Sequence, residues 1–290
     1  NMVDVPPLSP PPLVRAEDAR AADAAAPGLG VPAVELMRRA GTSVATVLRE
    51  SFPDVRHPVI LCGSGNNGGD GYVLASVLRD IGLAPTVLAV HPRASRSDAA
   101  EGARKAWSTI GAITELTTEA LDEALTDSDL VVDALLGTGL SRPLQRLLRE
   151  VARSVNAWPG PVLAIDVPSG VDADAAQPPG TCIRADRTVQ LAWACAASAL
   201  APARFAFGTT TVHDIGMPPG ALPVRKRPYL FLDDAVARAW PPTDPMAHKY
   251  QAGTVLIAAG SDRWSGAGEL ACRGAHRAGA AGRAARRGRG

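Results

Sequence analysis

The chain has 290 residues, 46% of them hydrophobic, enough to bury one full core and part of another. Lysines and arginines number 30 against 29 acidic residues, and a net charge of +1 offers no field to steer nucleic acid or an anionic membrane, which leaves a small molecule as the expected partner. Cys62, Cys182, Cys195 and Cys272 form no CxxC pair, which argues against a zinc site or a disulfide framework and for a reducing, cytoplasmic compartment. No run of about 18 apolar residues is present, and the N-terminus lacks a basic flank followed by an apolar stretch, so a soluble protein is expected.

Residues 1–12, dense in proline, are expected to be a disordered lead, with order beginning near Leu13. Arg15 to Glu50 then reads as two helices around a turn at "PGLGVP", the second with Val34, Met37, Val44 and Val47 at helical spacing. "VILCG" is a short strand; "GSGNNGGDG" is a glycine loop; "GYVLASVLRDIG" is a helix. The alternation continues with "PTVLAVH" (strand), "SDAAEGARKAWSTIG" and "TEALDEAL" (helices), "DLVVDALLG" (strand), "SRPLQRLLREVARSVNAW" (helix) and "PVLAIDVPSG" (strand). "DRTVQLAW" and "TTTVHDIG" add further strands. Continuous apolar strands alternating with helices imply an α/β fold: a Rossmann-like, three-layer αβα arrangement around a mostly parallel sheet. A proline-dense stretch, 219–247, reads as a linker, and 248–290 begins a second strand, glycine-rich loop and helix, too short to enclose a core of its own.

In such sheets ligands bind beyond the carboxyl ends of the strands, near the point where strand order reverses, so residues that follow strands carry the chemistry. The first loop contains G-x-G-x-x-G at Gly63, Gly65 and Gly68, but the second strand ends in His91 and Arg93 where a dinucleotide site wants a ribose-binding acid. Asp70 and Gly71 stand where a Walker loop wants Lys and Ser/Thr. Glycine-permitted close packing is the plain alternative, but packing asks for neither Asn66 and Asn67 nor Asp70. Asp133, ending an apolar strand, must be solvated, hydrogen-bonded or on a metal. With Asn67 and Ser169 it makes an all-oxygen set from three strand ends, suited to a hard and, given its low charge, monovalent cation; a cap or loop hydrogen bond is the alternative for Asp133 alone. Asp166, emerging after "VLAI", is the candidate acid–base group, with a turn-stabilising role as its alternative. The scattered histidines and the absence of G-x-S-x-G argue against a histidine metal site and a serine hydrolase.

"GSGNNGGDGYVLA", "VVDALLGTGLSRP" and "VLAIDVPSGVDAD", in that order, resemble the NAD(P)H-hydrate epimerase domain, over about residues 13–218. "HKYQAGTVLIAAGSDRWSGAGELACRGAHRAGA" is similar to the opening of an ADP-dependent NAD(P)H-hydrate dehydratase domain, a ribokinase-like fold that is incomplete here. The resemblance implies an isomerase of nicotinamide nucleotide repair that interconverts the R and S forms of hydrated NADH or NADPH at C6, with no dehydratase (lyase) activity expected of this chain. It implies substrate contacts from Asn66, Asn67, Gly68, Gly69 and Asp70 and from Gly137, Thr138, Gly139, Leu140, Ser141, Arg142 and Pro143, with Asp166 beside the damaged ring. It also implies K+ on Asn67, Asp133 and Ser169, and it leaves a homodimer open. The family's Lys-containing segment after the sixth strand is replaced here by "LAWACAASALAP", with Cys195 or a neighbour in its place. The tail "AGAAGRAARRGRG" fits a truncated or frame-shifted reading better than a nucleic-acid-binding one. The rival function is a noncatalytic nucleotide-binding or scaffold module of the same fold, which would not need Asn67, Asp70, Asp133, Asp166 and Ser169 together. A dehydrogenase is disfavoured by the absent ribose acid.

Overall fold

The computed structural model describes residues 12–140, 142–223, 229–230, 255–259, 261, 266–277 and 285–286. Two compact units are present, one spanning Ser9–Asp233 and a smaller one that includes Asp234–Gly290.

In the larger unit, β1 (Pro12–Leu13) leads into α1 (Ala16–Ala25). A 3-10 turn over Ala26–Leu29 ends at Gly30, whose φ of +91° lies in the left-handed region open to glycine. Pro32 then fixes the entry to α2 (Ala33–Ser51), which buries Leu36, Met37, Ala40, Val44, Val47 and Leu48 on one stripe. Val34 does not join that stripe: it lies in the first turn and is 59% exposed.

β2 (Pro58–Cys62) is followed by α3 (Asn66–Asp80), β3 (Thr86–Ala89), α4 (Asp98–Ser108), β4 (Thr114–Glu115) and α5 (Thr118–Thr126). β5 (Leu130–Ala134), α6 (Arg146–Ala157), β6 (Val162–Ile165), β7 (Arg187–Leu191) and β8 (Thr209–His213) complete the alternation. The seven strands β2 to β8 form one all-parallel sheet in the order β4-β3-β2-β5-β6-β7-β8. The chain runs outward from β2 through β3 to β4, then returns to β5 and runs the other way, so strand order reverses between β2 and β5.

β2, β5 and β6 are buried at every position because helices cover both faces of the sheet. Strand alternation divides the core in two. Ile60, Cys62 and Val132 pack with Val44, Leu48, Leu74, Leu78 and Trp107 from α2, α3 and α4. Val59, Leu61 and Val131 pack with Leu121, Leu125, Val151 and Val155 from α5 and α6. Side chains of Ser97 and Thr117 cap α4 and α5, accepting from the N–H groups of Ala100 and Ala120 at 3.2 and 3.1 Å. α3 stops at a Schellman turn in which Leu83 N–H donates to Leu78 C=O and Gly82 N–H, at φ +87°, to Arg79 C=O.

Two helix starts differ from the sequence reading. α3 begins at Asn66, so "NNGGDG" forms helical turns and only Gly63–Gly65 remain as the loop. α6 begins at Arg146 and not in "SRP", because Pro143 disfavours helical backbone at Arg142.

β9 (Tyr229–Leu230) pairs antiparallel with β1. In the smaller unit, β10 (Ile257–Ala258) pairs in parallel with β11 (Ala285–Arg286), and α7 (Gly266–Arg277) buries only Gly268. Leu256 and Leu270 are 76% and 70% exposed. Most of the expected linker, 219–247, lies outside the described residues, as does most of the basic tail. Among the described residues no helix is long and apolar enough to cross a membrane.

Candidate active site

The three strands nearest the reversal of strand order, β2, β5 and β6, each deliver polar groups at their carboxyl ends. After β2, Gly63 N–H donates to Ala134 C=O at 2.9 Å, holding the loop against the neighbouring strand. The first turns of α3 press onto this loop and the sheet. A Cβ on Gly68 would collide with the Gly63 carbonyl, and one on Gly71 would lie 2.8 Å from Ala134 Cβ and 2.9 Å from Cys62 Sγ. That approach buries Asn67 and Asp70, each 8% exposed, above the strand ends. Asn66 accepts from Ser97 Oγ at 2.5 Å, and Arg96 N–H donates to Ser64 C=O at 2.7 Å, tying the β3–α4 segment to the same loop.

Asp133, at the end of β5, is fully buried and hydrogen-bonded by Ser169, which reaches it from the turn after β6. Ser169 donates from its N–H to Oδ2 at 2.7 Å and from Oγ to Oδ1 at 2.6 Å, and Leu135 N–H donates to Oδ1 at 3.2 Å. Burial raises the Asp133 carboxyl to about 6, while the donors from Ser169 and Leu135 pull it down. Ser169 Oγ also accepts from Leu136 N–H at 3.0 Å, so one hydroxyl links the ends of β5 and β6.

Asp166 sits at the apex of a three-residue turn. Its φ is +67°, and Val167 N–H donates to Ile165 C=O at 2.9 Å across it, a γ-turn of the strained kind. The turn aims the carboxylate at the loop after β5, where Thr138 N–H donates to Oδ2 at 3.1 Å. Gly137 makes room for it, since a Cβ there would lie 2.8 Å from Asp166 Oδ2 and 3.5 Å from Asn67 Cγ. Burial raises the Asp166 carboxyl to about 6; Thr138 N–H opposes the shift, Asp23 adds to it, and Leu191 N–H opposes it. Asp70 is pushed well above the usual carboxylate range by burial, then by Asp166 and Asp23. Ala192, at φ +63°, forms a second such turn at the end of β7, with Trp193 N–H donating to Leu191 C=O at 2.8 Å.

Asn67, Asp70, Thr138, Asp166 and Ala192 line one cavity of about 870 Å³. Of the residues singled out from the sequence, Asn66, Asn67, Asp70, Gly137, Thr138, Gly139, Leu140, Arg142 and Asp166 line it together. Gly68 and Gly69 do not: the first packs on Gly63, the second on Met37 and Ala100. Pro143 is not part of the wall, and Ser141 lies outside the described residues. Asp133 and Ser169 sit behind the wall, paired with each other. Asn67 is different, because both its amide oxygen and its amide nitrogen are buried without a hydrogen-bond partner. Among the described residues no group of three or more His, Cys, Asp or Glu converges to hold a metal ion.

The cavity also takes in residues that sequence reasoning missed. α1 supplies Arg20 and Asp23, and the segment after β3 supplies Arg96; Leu191, Ala192 and Trp193, the start of the "LAWACAASALAP" segment noted in the sequence, form the wall after β7. Asp23 is exposed over much of its surface, yet protein around its carboxyl raises its pKa to about 6. Its only sequence signal was an acid within an alanine-rich helix, where the apolar pattern is too uniform to say which side faces inward. Cys195 is not in the wall; it is buried in a small core with Ala197 and Phe207 and accepts from Gln190 Nε2 at 3.1 Å.

A doubly wound α/β unit with a polar cavity at the reversal of its strand order belongs to the broad class of Rossmann-like ligand-binding domains. Residues 33–197 match the family described as YjeF-related protein N-terminus, and the chain belongs to that family. It is 33% identical over 256 residues to the Escherichia coli bifunctional NAD(P)H-hydrate repair enzyme Nnr, covering 88% of this chain and 49% of that protein. It is 35% identical over 289 residues to the Salinibacter ruber protein of the same name, covering 93% of this chain and 53% of the relative. The chain therefore spans about half the length of the curated relatives it matches. The crystal structure of yeast ynu0 shares the fold, with a TM-score of 0.59 and 24% identity over 70% of this chain and 87% of that one.

Proposed function

We propose that the larger unit is an NAD(P)H-hydrate epimerase, interconverting the R and S hydrates of NADH and NADPH at C6 of the nicotinamide ring. The observation that carries this reading is the convergence, in one cavity, of Asn66, Asn67, Asp70, the 137–140 loop and an Asp166 carboxyl held on a strained turn. Relatives named as NAD(P)H-hydrate repair enzymes support it. The proposal covers epimerisation alone, for a small-molecule substrate.

The chemistry requires no redox change. In the hydrate the ring nitrogen and the hydroxyl share C6, so the nitrogen lone pair can expel the hydroxyl and leave an iminium that water re-enters from either face. Asp166 is the proposed acid–base group, because burial raises its carboxyl to about 6 and Thr138 N–H fixes its position. Backbone N–H groups at the start of α3 and the basic side chains of Arg20, Arg96 and Arg142 suit the phosphates.

We assign Asn67, Asp133 and Ser169 to hold K+. The fit rests on Asn67, whose unpartnered buried amide oxygen is what a hard monovalent cation takes, and on Asp133, whose buried charge no cationic side chain among the described residues offsets. A bound cation would supply the fixed positive charge that offsets the buried Asp133 carboxylate.

The test is to incubate the purified chain with a mixture of R and S hydrated NADH and a dehydratase that consumes one epimer, with and without K+. Faster loss of the other epimer is the expected result. Loss at the spontaneous rate in both conditions would remove the epimerase reading and favour a noncatalytic nucleotide-binding module.

A further inference from the structure

Epimerisation moves the C6 hydroxyl from one face of the ring to the other. Oxygen therefore leaves on one side and arrives on the opposite side, and a single carboxyl fixed by its backbone reaches only one of them. Resting on the epimerase reading above, we propose that Asp70 is the second acid–base group of the reaction, serving the ring face opposite Asp166.

Placement carries this assignment. Asp70 lies in α3, which follows β2, and Asp166 lies on the turn after β6, with β5 between those strands in the sheet. The two residues line one cavity, and in the strand order their parent strands lie on either side of β5, whose following loop contributes Gly137 to Leu140 to the same cavity. Asp70 is 8% exposed, and among the described residues its carboxylate takes part in no hydrogen bond or ion pair. A structural carboxylate so buried is normally given donors, whereas this one has been left open to the cavity. Asp23 faces the pair from α1, and Arg20, His91, Arg96 and Arg142 line the same cavity without pairing with either carboxylate.

The protonation states fit the role. Burial, then its acidic neighbours Asp166 and Asp23, raises Asp70 well above the ordinary carboxylate range and so favours its protonated form, while burial raises Asp166 to about 6. The nitrogen lone pair then forms the C=N bond as the C6–O bond breaks, and the departing oxygen takes the Asp70 proton to leave as water. A second water attacks C6 on the other face, the C=N electrons return to nitrogen, and the water's proton passes to Asp166. Transfer of that proton back to Asp70 through solvent resets the pair, and the reverse epimerisation runs with the roles exchanged.

The test compares the parent chain with Asp70→Asn on a single purified epimer. A fall in kcat of about 100-fold or more, with KM within about threefold, is expected, since Asn keeps the shape and a hydrogen-bond donor but cannot give up a proton. A rise in KM with kcat preserved would show a residue that only reads a substrate hydroxyl and would overturn the proposal. Should Asp70→Asn fail to fold, Asp70→Glu carries the same test, because a displaced carboxyl should lower kcat, and an unchanged kcat overturns the assignment. An inactive parent chain would instead count against the epimerase reading itself.

Discussion

Asp166 combines two features that work against folding, a left-handed backbone and a carboxyl whose ionised form is disfavoured by burial. Its pKa of about 6 in the native state stands above the ordinary 3.8, so the folded protein binds this proton more tightly than the unfolded chain does. The group therefore favours the fold below about pH 4, and that contribution is lost as pH rises through about 6. Asp166→Asn, neutral throughout and at ease with positive φ, is expected to stabilise the protein by about 1–3 kcal/mol at pH 8 and by little at pH 4. Thermal melts across that range check it; equal shifts at both pH values would contradict it. In the proposed reaction the ionised form is the base, so kcat/KM of the parent chain should climb through about pH 6 and lose that limb in Asp166→Asn. At this scale the sequence marked Asp166, Asn67 and Asp133 because polar groups at the ends of apolar strands ask for a reason. It did not mark Asp23, since nothing local distinguishes one acid on an alanine-rich helix from a solvated one.

Strands were the most legible elements. β2, β5 and β6 are continuous apolar runs because both sheet faces are covered, and that pattern has no competing reading at such lengths. The start of α3 was not legible, because glycines at 68, 69 and 71 oppose helix propensity and look like a loop until the surfaces they pack against are known. Those glycines let the helix come down on the strand ends, and the approach buries Asn67 and Asp70. Gly71→Ala places a methyl 2.8 Å from Ala134 Cβ and should cost about 1–3 kcal/mol of stability, read as a lowered Tm. Gly137→Ala acts on the site instead. Its Cβ would lie 2.8 Å from Asp166 Oδ2, so the carboxylate must move, and epimerisation should fall about 10- to 100-fold with Tm changed by no more than a few degrees. Full activity in that variant would mean that the observed position of Asp166 is not the working one.

For the whole molecule, the order of strands places the site. Reversal between β2 and β5 opens the crevice, β6 delivers Asp166 into it, and α1 and α2 roof it with Asp23, Leu36 and Met37. Every residue assigned a role lies within Ser9–Asp233. A chain ending at Asp233 is accordingly expected to keep the melting temperature and the epimerase activity of the full chain, with a loss of either counting against an autonomous unit. The central claim is that this cavity inverts C6 by letting oxygen go and taking it back from water. A single epimer of hydrated NADH, incubated with the chain in ¹⁸O-labelled water and followed by mass, tests it most directly. The account predicts the opposite epimer, formed well above the spontaneous rate and carrying solvent ¹⁸O at C6; inversion that retains the original oxygen, or none beyond the spontaneous rate, would contradict it.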